Sequence, residues 1–134
     1  MTHLDTSFIV DLLREATRGV HGPAHVELDR LGDEPLGVSV HVACELYAGA
    51  ELAEHREEER GKIAALLAAL EIVQTHEAFP AKYGEVLAQL RRRGDTIATM
   101  DLLIAVAALE HGAALLTRNA RDFDRVPGLM VLDY

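Results

Sequence analysis

Short apolar runs alternate with longer stretches in which apolar residues recur every three or four positions. That alternation predicts an α/β fold, strand–helix repeats around a mainly parallel sheet. Leu4 and its neighbours read as a first short strand, and Thr6 or Ser7 can cap a helix running through Phe8, Ile9, Leu12 and Leu13 to about Glu15. A loop with Gly19 and Gly22-Pro23 leads to a helix over about 24–31, and Leu36 to Val40 reads as the second strand. Helical spacing from His41 to Ala53, then a charged block into Ile63, Leu66, Leu67 and Leu70, predicts a helical hairpin. Glu71 to Gln74 is a third strand, followed by a helix through Phe79, Tyr83, Val86, Leu87 and Leu90. A helix over about 99–111 ends at Gly112, Ala113 to Leu116 is a strand, Asp122-Phe123 lies in a short turn or helix, and Leu129 to Leu132 is a last strand. No internal repeat or linker interrupts the pattern, so residues 1–134 are expected to form one domain.

Composition narrows the functional classes. Hydrophobic residues make up 49% of the chain but never in a charge-free run long enough to cross a bilayer. The opening MTHLDTSF lacks the basic and apolar regions of a secretory signal, and the single Cys44 cannot form an internal disulfide. A cytoplasmic protein without membrane association is the expectation. Thirteen Lys and Arg against 22 Asp and Glu leave a net charge of −9, which opposes nonspecific adhesion to nucleic acid. The positive charge is clustered in Arg91-Arg92-Arg93 and in Arg118, Arg121 and Arg125. Phosphate contact and compensation of helix ends both fit these positions.

Three acids interrupt apolar surroundings: Asp5, Glu45 and Asp101. An isolated carboxylate there costs several kcal/mol unless it is paired or bound to a cation. Asp5 stands at the carboxyl end of the first predicted strand, where open α/β sheets place their ligand crevice, although an Asp before Thr-Ser can also serve a helix start. Glu45 shares its helix face with His41, Val42, Ala48 and Gly49, which fits either an interior cleft or the edge of an amphipathic helix. Asp101 shares its face with Ile97, Ile104 and Ala105 and no basic residue. Capping would require its helix to begin late, which Ile97 and Met100 argue against.

Three carboxylates brought together without Lys or Arg repel one another, and a divalent cation offsets that charge. Oxygen-only ligation suits Mg²⁺, with Mn²⁺ as a substitute, and phosphodiester hydrolysis is the natural reaction class. The seven His residues have no metal-binding spacing and read as surface or core-edge groups. Ser7 and Ser39 lack a nucleophile elbow, Cys44 reads as a small helix-packing residue, and no Gly-rich phosphate loop occurs.

In their order and spacing LDTSFIVDLL, ELYAGAEL and GDTIATMDLLIAVAALEHGAALLTRNARDFDRVPGL resemble the PIN-domain ribonucleases, and within them the VapC-like toxins of bacterial toxin–antitoxin pairs. The resemblance implies a three-layer α/β/α sandwich with a mainly parallel central sheet of four to five strands. It implies that Asp5, Glu45 and Asp101 belong to the acidic metal-binding and catalytic set. The fourth acid is either Asp122 or the position of Asn119, where some relatives carry Asp; Asp122 is the expected fourth acid, with Asn119 a polar participant. Thr6, Thr117 and Arg118 are further candidates for positioning substrate or water. The family also implies an RNA substrate, a small antitoxin whose C-terminal segment covers the groove with a basic side chain among the acids, and a homodimer to which the hairpin around Ile63 to Leu70 could contribute.

The expected activity is therefore that of a Mg²⁺-dependent endoribonuclease toxin. The rival from another class is a noncatalytic PIN-like module that binds a basic peptide through its acidic pocket. A phosphatase or receiver domain also places Asp at strand ends, but the first wants a DxDxT run and the second an early acidic pair with a later Lys, and the chain has neither.

Overall fold

A computed structural model describes all residues, Met1–Tyr134. Five strands form one sheet: β1 (Thr2–Leu4), β2 (Leu36–Ser39), β3 (Glu71–Val73), β4 (Ala114–Leu116) and β5 (Val131–Leu132). Helices fill the connections: α1 (Thr6–Arg18) and α2 (Pro23–Leu31), then α3 (Val40–Glu51) and α4 (Arg56–Ala68), then α5 (Phe79–Arg92) and α6 (Thr99–Glu110), and finally α7 (Ala120–Phe123). The strand order is β3-β2-β1-β4-β5 and every pairing is parallel. The predicted α/β architecture, a parallel sheet flanked by helices, is what forms.

That order fixes where a site can be. The chain steps outward from β1 to β3, then returns to the far side of β1 for β4. Such a reversal leaves a crevice beyond the carboxyl ends of the two strands on either side of it. Asp5 follows β1 and Thr117 follows β4, so both are delivered there. The ladder runs on to meet them, the Asp5 N–H donating to the Leu116 carbonyl and the Thr117 N–H to the Leu132 carbonyl, each at 2.9 Å.

The core gathers around the middle strands, with Leu4, Val38, Leu115 and Leu116 packed against Phe8, Ile9, Leu90, Leu102 and Ile104. Helix α6 buries an almost continuous run from Ile104 to Ala108, as expected of a helix covered on most sides. Ile63 and Leu67 of the predicted hairpin are committed to this core.

Several boundaries differ from the sequence reading. Helix α1 continues to Arg18 because no breaker precedes Gly19, whose φ of 66° ends it in the left-handed conformation. Thr6 and Ser7 lie inside that helix and Asp5 takes the cap position, with no capping bond from its side chain. Val40 begins α3 rather than ending β2, because Ser39 accepts the Val42 N–H and caps the helix one residue earlier. Helix α6 starts at Thr99, where the spacing predicts it, and the helix-start role that Ile97 and Met100 argue against for Asp101 is the position it takes. Ile97 packs from the preceding loop, and Asp101 falls in the first helical turn. Cys44, expected to pack, is exposed.

Two buried polar groups escaped the sequence pattern. Glu15 reaches across from α1 to cap α2, accepting the Gly22 N–H at 3.0 Å, the Ala24 N–H at 2.9 Å, the His25 N–H at 3.0 Å and the His25 ring at 2.8 Å. Burial alone would raise its pKa, but the His25 backbone and ring and the Ala24 N–H together hold it down at about 2. A Cβ at Gly22 would sit 2.6 Å from the Glu15 carboxyl carbon, so the turn needs glycine there. His3, in the middle of β1, is 1% exposed, and neither ring nitrogen has a hydrogen-bond partner. It was expected at the surface or core edge, but β1 is covered on both faces, so each of its residues is buried. Burial, the neighbouring His111 ring at 5.4 Å and the chain's amino group push the His3 pKa down to about 4.

These two groups titrate in separate windows. An unfolded chain protonates His3 near pH 6.5 and the folded one near 4, so acidification across that interval favours unfolding, at up to about 1.4 kcal/mol per pH unit. His3→Leu should flatten the slope in urea melts at pH 7, 6 and 5; an unchanged slope would remove His3 as its source. Glu15 contributes stability that is present above its ordinary value of 4.5 and is lost as pH falls towards 2. Glu15→Ala should lower the melting temperature at pH 7 by about 5 °C, measured by circular dichroism.

Candidate active site

Asp5 is 3% exposed, the most enclosed of the candidate acids. Its Oδ2 accepts the Ser7 hydroxyl at 2.8 Å and the Thr117 hydroxyl at 2.7 Å. Those hydroxyls are themselves fixed, Ser7 Oγ accepting the Arg118 N–H at 3.1 Å and Thr117 Oγ1 the Asn119 N–H at 2.9 Å. The β4–α7 turn thus holds Asp5 by one oxygen, and no bond of this network reaches Oδ1. Hydrogen bonds to one oxygen fix the carboxylate in place, and the other oxygen stays open as a ligand.

The other acids surround it from separate helices. Glu45 is half-buried on α3 and accepts the Thr6 hydroxyl at 2.6 Å, which joins the starts of α1 and the middle of α3. Asp101 is half-buried in the first turn of α6. Its pKa is raised to about 6, first by burial and then by repulsion from Asp5, Glu45 and Asp122. Asp122, exposed on α7, is within the same electrostatic field and stands 3.9 Å from Arg125. The four acids are therefore neighbours, contributed by four segments of the chain.

They do not form a closed cage. No three His, Cys, Asp or Glu side chains stand close enough together to ligate one ion as they are placed. The donor set nonetheless fits a hard divalent cation: all oxygen, mutually repelling, and without a cation hydrogen-bonded among them. The six-residue cavity beside Asp101 and Asp122 has a volume of about 380 Å³, and a second groove of about 320 Å³ begins at Thr6 and Glu45 and runs between α1, α3 and α4.

Of the remaining candidates, Thr117 and Arg118 have structural partners. Thr117 is fully buried and turned towards Asp5. The Arg118 guanidinium donates to Asp11 Oδ1 at 2.6 Å, and the Tyr134 hydroxyl donates to the other oxygen of Asp11 at 2.6 Å. Asn119 is exposed at the start of α7 and its side chain makes no capping bond. Among the clustered arginines, Arg93 binds Asp95 and the Arg125 carbonyl, which is the structural use the sequence allowed.

Sequence reasoning weighed Ser7 only as a cap or a nucleophile, and passed over Asp11 and Tyr134. A hydroxyl two residues after a strand-end Asp was available as a signal for Ser7. Nothing local marks Asp11 or Tyr134, because they meet across 123 residues of chain.

Comparison with known proteins accounts for this arrangement. The PIN domain family matches residues 3–129. The chain is 32% identical over 96 residues to "Ribonuclease VapC2" of Rickettsia felis, covering 72% of each chain. It is 27% identical over 113 residues to the "tRNA(fMet)-specific endonuclease VapC" of Salmonella typhimurium, covering 84% of this chain and 86% of that one. Its fold superposes on the crystal structure of VapBC2 from Rickettsia felis bound to a promoter DNA fragment with a TM-score of 0.86 at 28% identity, over 99% of this chain and 98% of that one. With this match over nearly its whole length, and acids grouped at the sheet's switch point, the chain belongs to the PIN-domain family.

Proposed function

We propose that the protein is a Mg²⁺-dependent endoribonuclease acting as the toxin of a toxin–antitoxin pair, with residues 1–134 working as one catalytic domain. The observation that carries this reading is Asp101, whose pKa is pushed up to about 6 by burial and by three neighbouring carboxylates. Uncompensated negative charge of this kind, on oxygen ligands alone, is what a divalent cation relieves. The names of the relatives, a ribonuclease and a tRNA endonuclease, support RNA as the substrate. The VapBC complexes among the solved structures support a small protein partner.

On this reading Asp5, Glu45, Asp101 and Asp122 hold the cation, with Mn²⁺ able to replace Mg²⁺. The bound ion would polarise a phosphoryl oxygen and supply a water of lowered pKa. Ser7 and Thr117 hold Asp5 through Oδ2 and leave Oδ1 for the cation. Thr6 holds Glu45, and the β4–α7 turn carries Asn119 and Asp122 to the crevice mouth. The partner would lay apolar side chains along the groove lined by Val10, Leu13, Leu46 and Ile63, and a basic side chain would reach the acids beyond Glu45. Self-association through other surfaces completes the proposed assembly.

Asp101→Asn should reduce RNA cleavage at least a hundredfold, as should Asp5→Asn, in assays with purified protein and Mg²⁺; undiminished cleavage by either variant would sink the assignment. A noncatalytic module would bind its partner in EDTA and cut no RNA with any cation. Without divalent cations, Asp101→Asn should also be more stable than the native protein at pH 7.5, by about 1 kcal/mol after allowance for solvent screening. The sign follows from a folded pKa above the unfolded one: ionised Asp101 disfavours folding, and the penalty disappears as pH falls below the ordinary value of 3.8. Urea melts of both proteins at pH 7.5 and 4 measure it. Cleavage by the native enzyme at limiting Mg²⁺ should fall as pH drops through about 6, because protonation removes a ligand, and added Mg²⁺ should restore it.

A further inference from the structure

A protein of net charge −9 with four acids at its crevice repels every phosphate of an RNA strand. Binding therefore needs a fixed positive charge close to the acids. Arg118 and Arg93 are held by Asp11 at 2.6 Å and by Asp95 at 2.8 Å, and neither borders the cavity beside Asp101 and Asp122. Arg125 is different. It borders the cavity of about 380 Å³ whose other walls are Thr96, Ile97, Ala98, Asp101 and Asp122. One guanidinium nitrogen donates to the Thr96 carbonyl, which fixes the group in place. The other terminal nitrogen is 3.9 Å from Asp122, too far for a hydrogen bond, so its donors remain available towards the cavity.

The cavity thus combines three properties. It adjoins two of the acids, it has one oriented cation whose planar fork matches phosphate, and Ile97 and Ala98 give it an apolar wall. Its volume suits a group the size of one nucleotide. We propose that this cavity is the subsite for the nucleotide next to the scissile phosphodiester, with Arg125 binding that nucleotide's phosphate and the Ile97–Ala98 wall lying against its sugar or base. This rests on the ribonuclease reading above and adds to it a substrate-binding residue. The competing role for Arg125 is a clamp alone, tying the loop before α6 to the α7 turn through Thr96 and Arg93.

Steady-state cleavage of a short single-stranded RNA at several KCl concentrations separates the two. Arg125→Ala should raise KM about tenfold with kcat changed less than threefold. It should also make the dependence of log kcat/KM on log salt shallower by about 0.7, the contribution of one phosphate contact on a single strand. Arg125→Lys, which keeps the charge without the fork, should keep the native salt slope with an intermediate KM. Thr96→Glu leaves the Thr96 carbonyl in place and adds negative charge at the exposed cavity rim, so it should raise KM while the protein melts as the native one does. Native KM and salt slope in both Arg125→Ala and Thr96→Glu would overturn the proposal. So would a fall in kcat and melting temperature for Arg125→Ala with the slope unmoved, which is the clamp's signature. Absence of cleavage by the native protein would count against the ribonuclease reading instead, and anisotropy of a labelled RNA with the same variants would then decide the subsite by the same slope.

Discussion

Like-charge repulsion at the sheet's switch point is the constraint around which the rest of the site is organised. Asp5, Glu45, Asp101 and Asp122 come from four different segments and share one electrostatic field. Burying such a group without compensation would cost several kcal/mol per charge. The fold distributes the compensation unevenly. Asp5 receives two hydroxyl donors and Glu45 one, whereas Asp101 accepts no hydrogen bond and carries the raised pKa. Repulsion is thus concentrated on a single residue at the centre of the group.

Helix geometry supplies a second, weaker offset. Asp5 takes the cap position of α1, Asp101 lies in the first turn of α6 and Asp122 in the first turn of α7. Asp5 and Asp101 thereby stand at the positive ends of helices of 13 and 12 residues, a contribution of about 0.3–1 kcal/mol where solvent screens it, whereas the single turn of α7 has no comparable dipole to offer Asp122. A helix-start role and the proposed ligand role, which look like alternatives in the sequence, are compatible in this fold. An acid destined for a cation site must exist before the cation arrives, and a helix start lets it do so.

The sequence made much of this legible, and the limits have physical causes. Parallel strands and helices were readable because burial imposes periodicity on neighbouring residues, and Asp5, Glu45 and Asp101 stood out by breaking it. The place of Asp101 in its helix was read less well: Ile97 argued against a helix-start position because an apolar loop residue and an apolar helical residue satisfy the same pattern. His3 was hidden because a central strand buries every residue, polar or not. Glu15, an ordinary residue of an amphipathic helix by spacing, caps a neighbouring helix. The Ser7–Thr117 and Asp11–Tyr134 contacts span more than a hundred residues, and no local signal encodes a pairing of that separation.

The same repulsion bears on how such a site is controlled. A cation and a basic partner side chain are drawn by one potential to one place, and the acids that attract them are too few to satisfy both. On the proposed reading, a partner that inserts positive charge beyond Glu45 therefore competes with the cation and need not reshape the fold. Its apolar groove contacts supply affinity, while its charge removes the chemistry. Arg125 is anchored by the Thr96 carbonyl at the edge of the group, so on the same reading it would meet phosphate outside this competition. The proposed site would then hold two kinds of positive charge with separate tasks: a fixed one for substrate, and an exchangeable one for the chemistry.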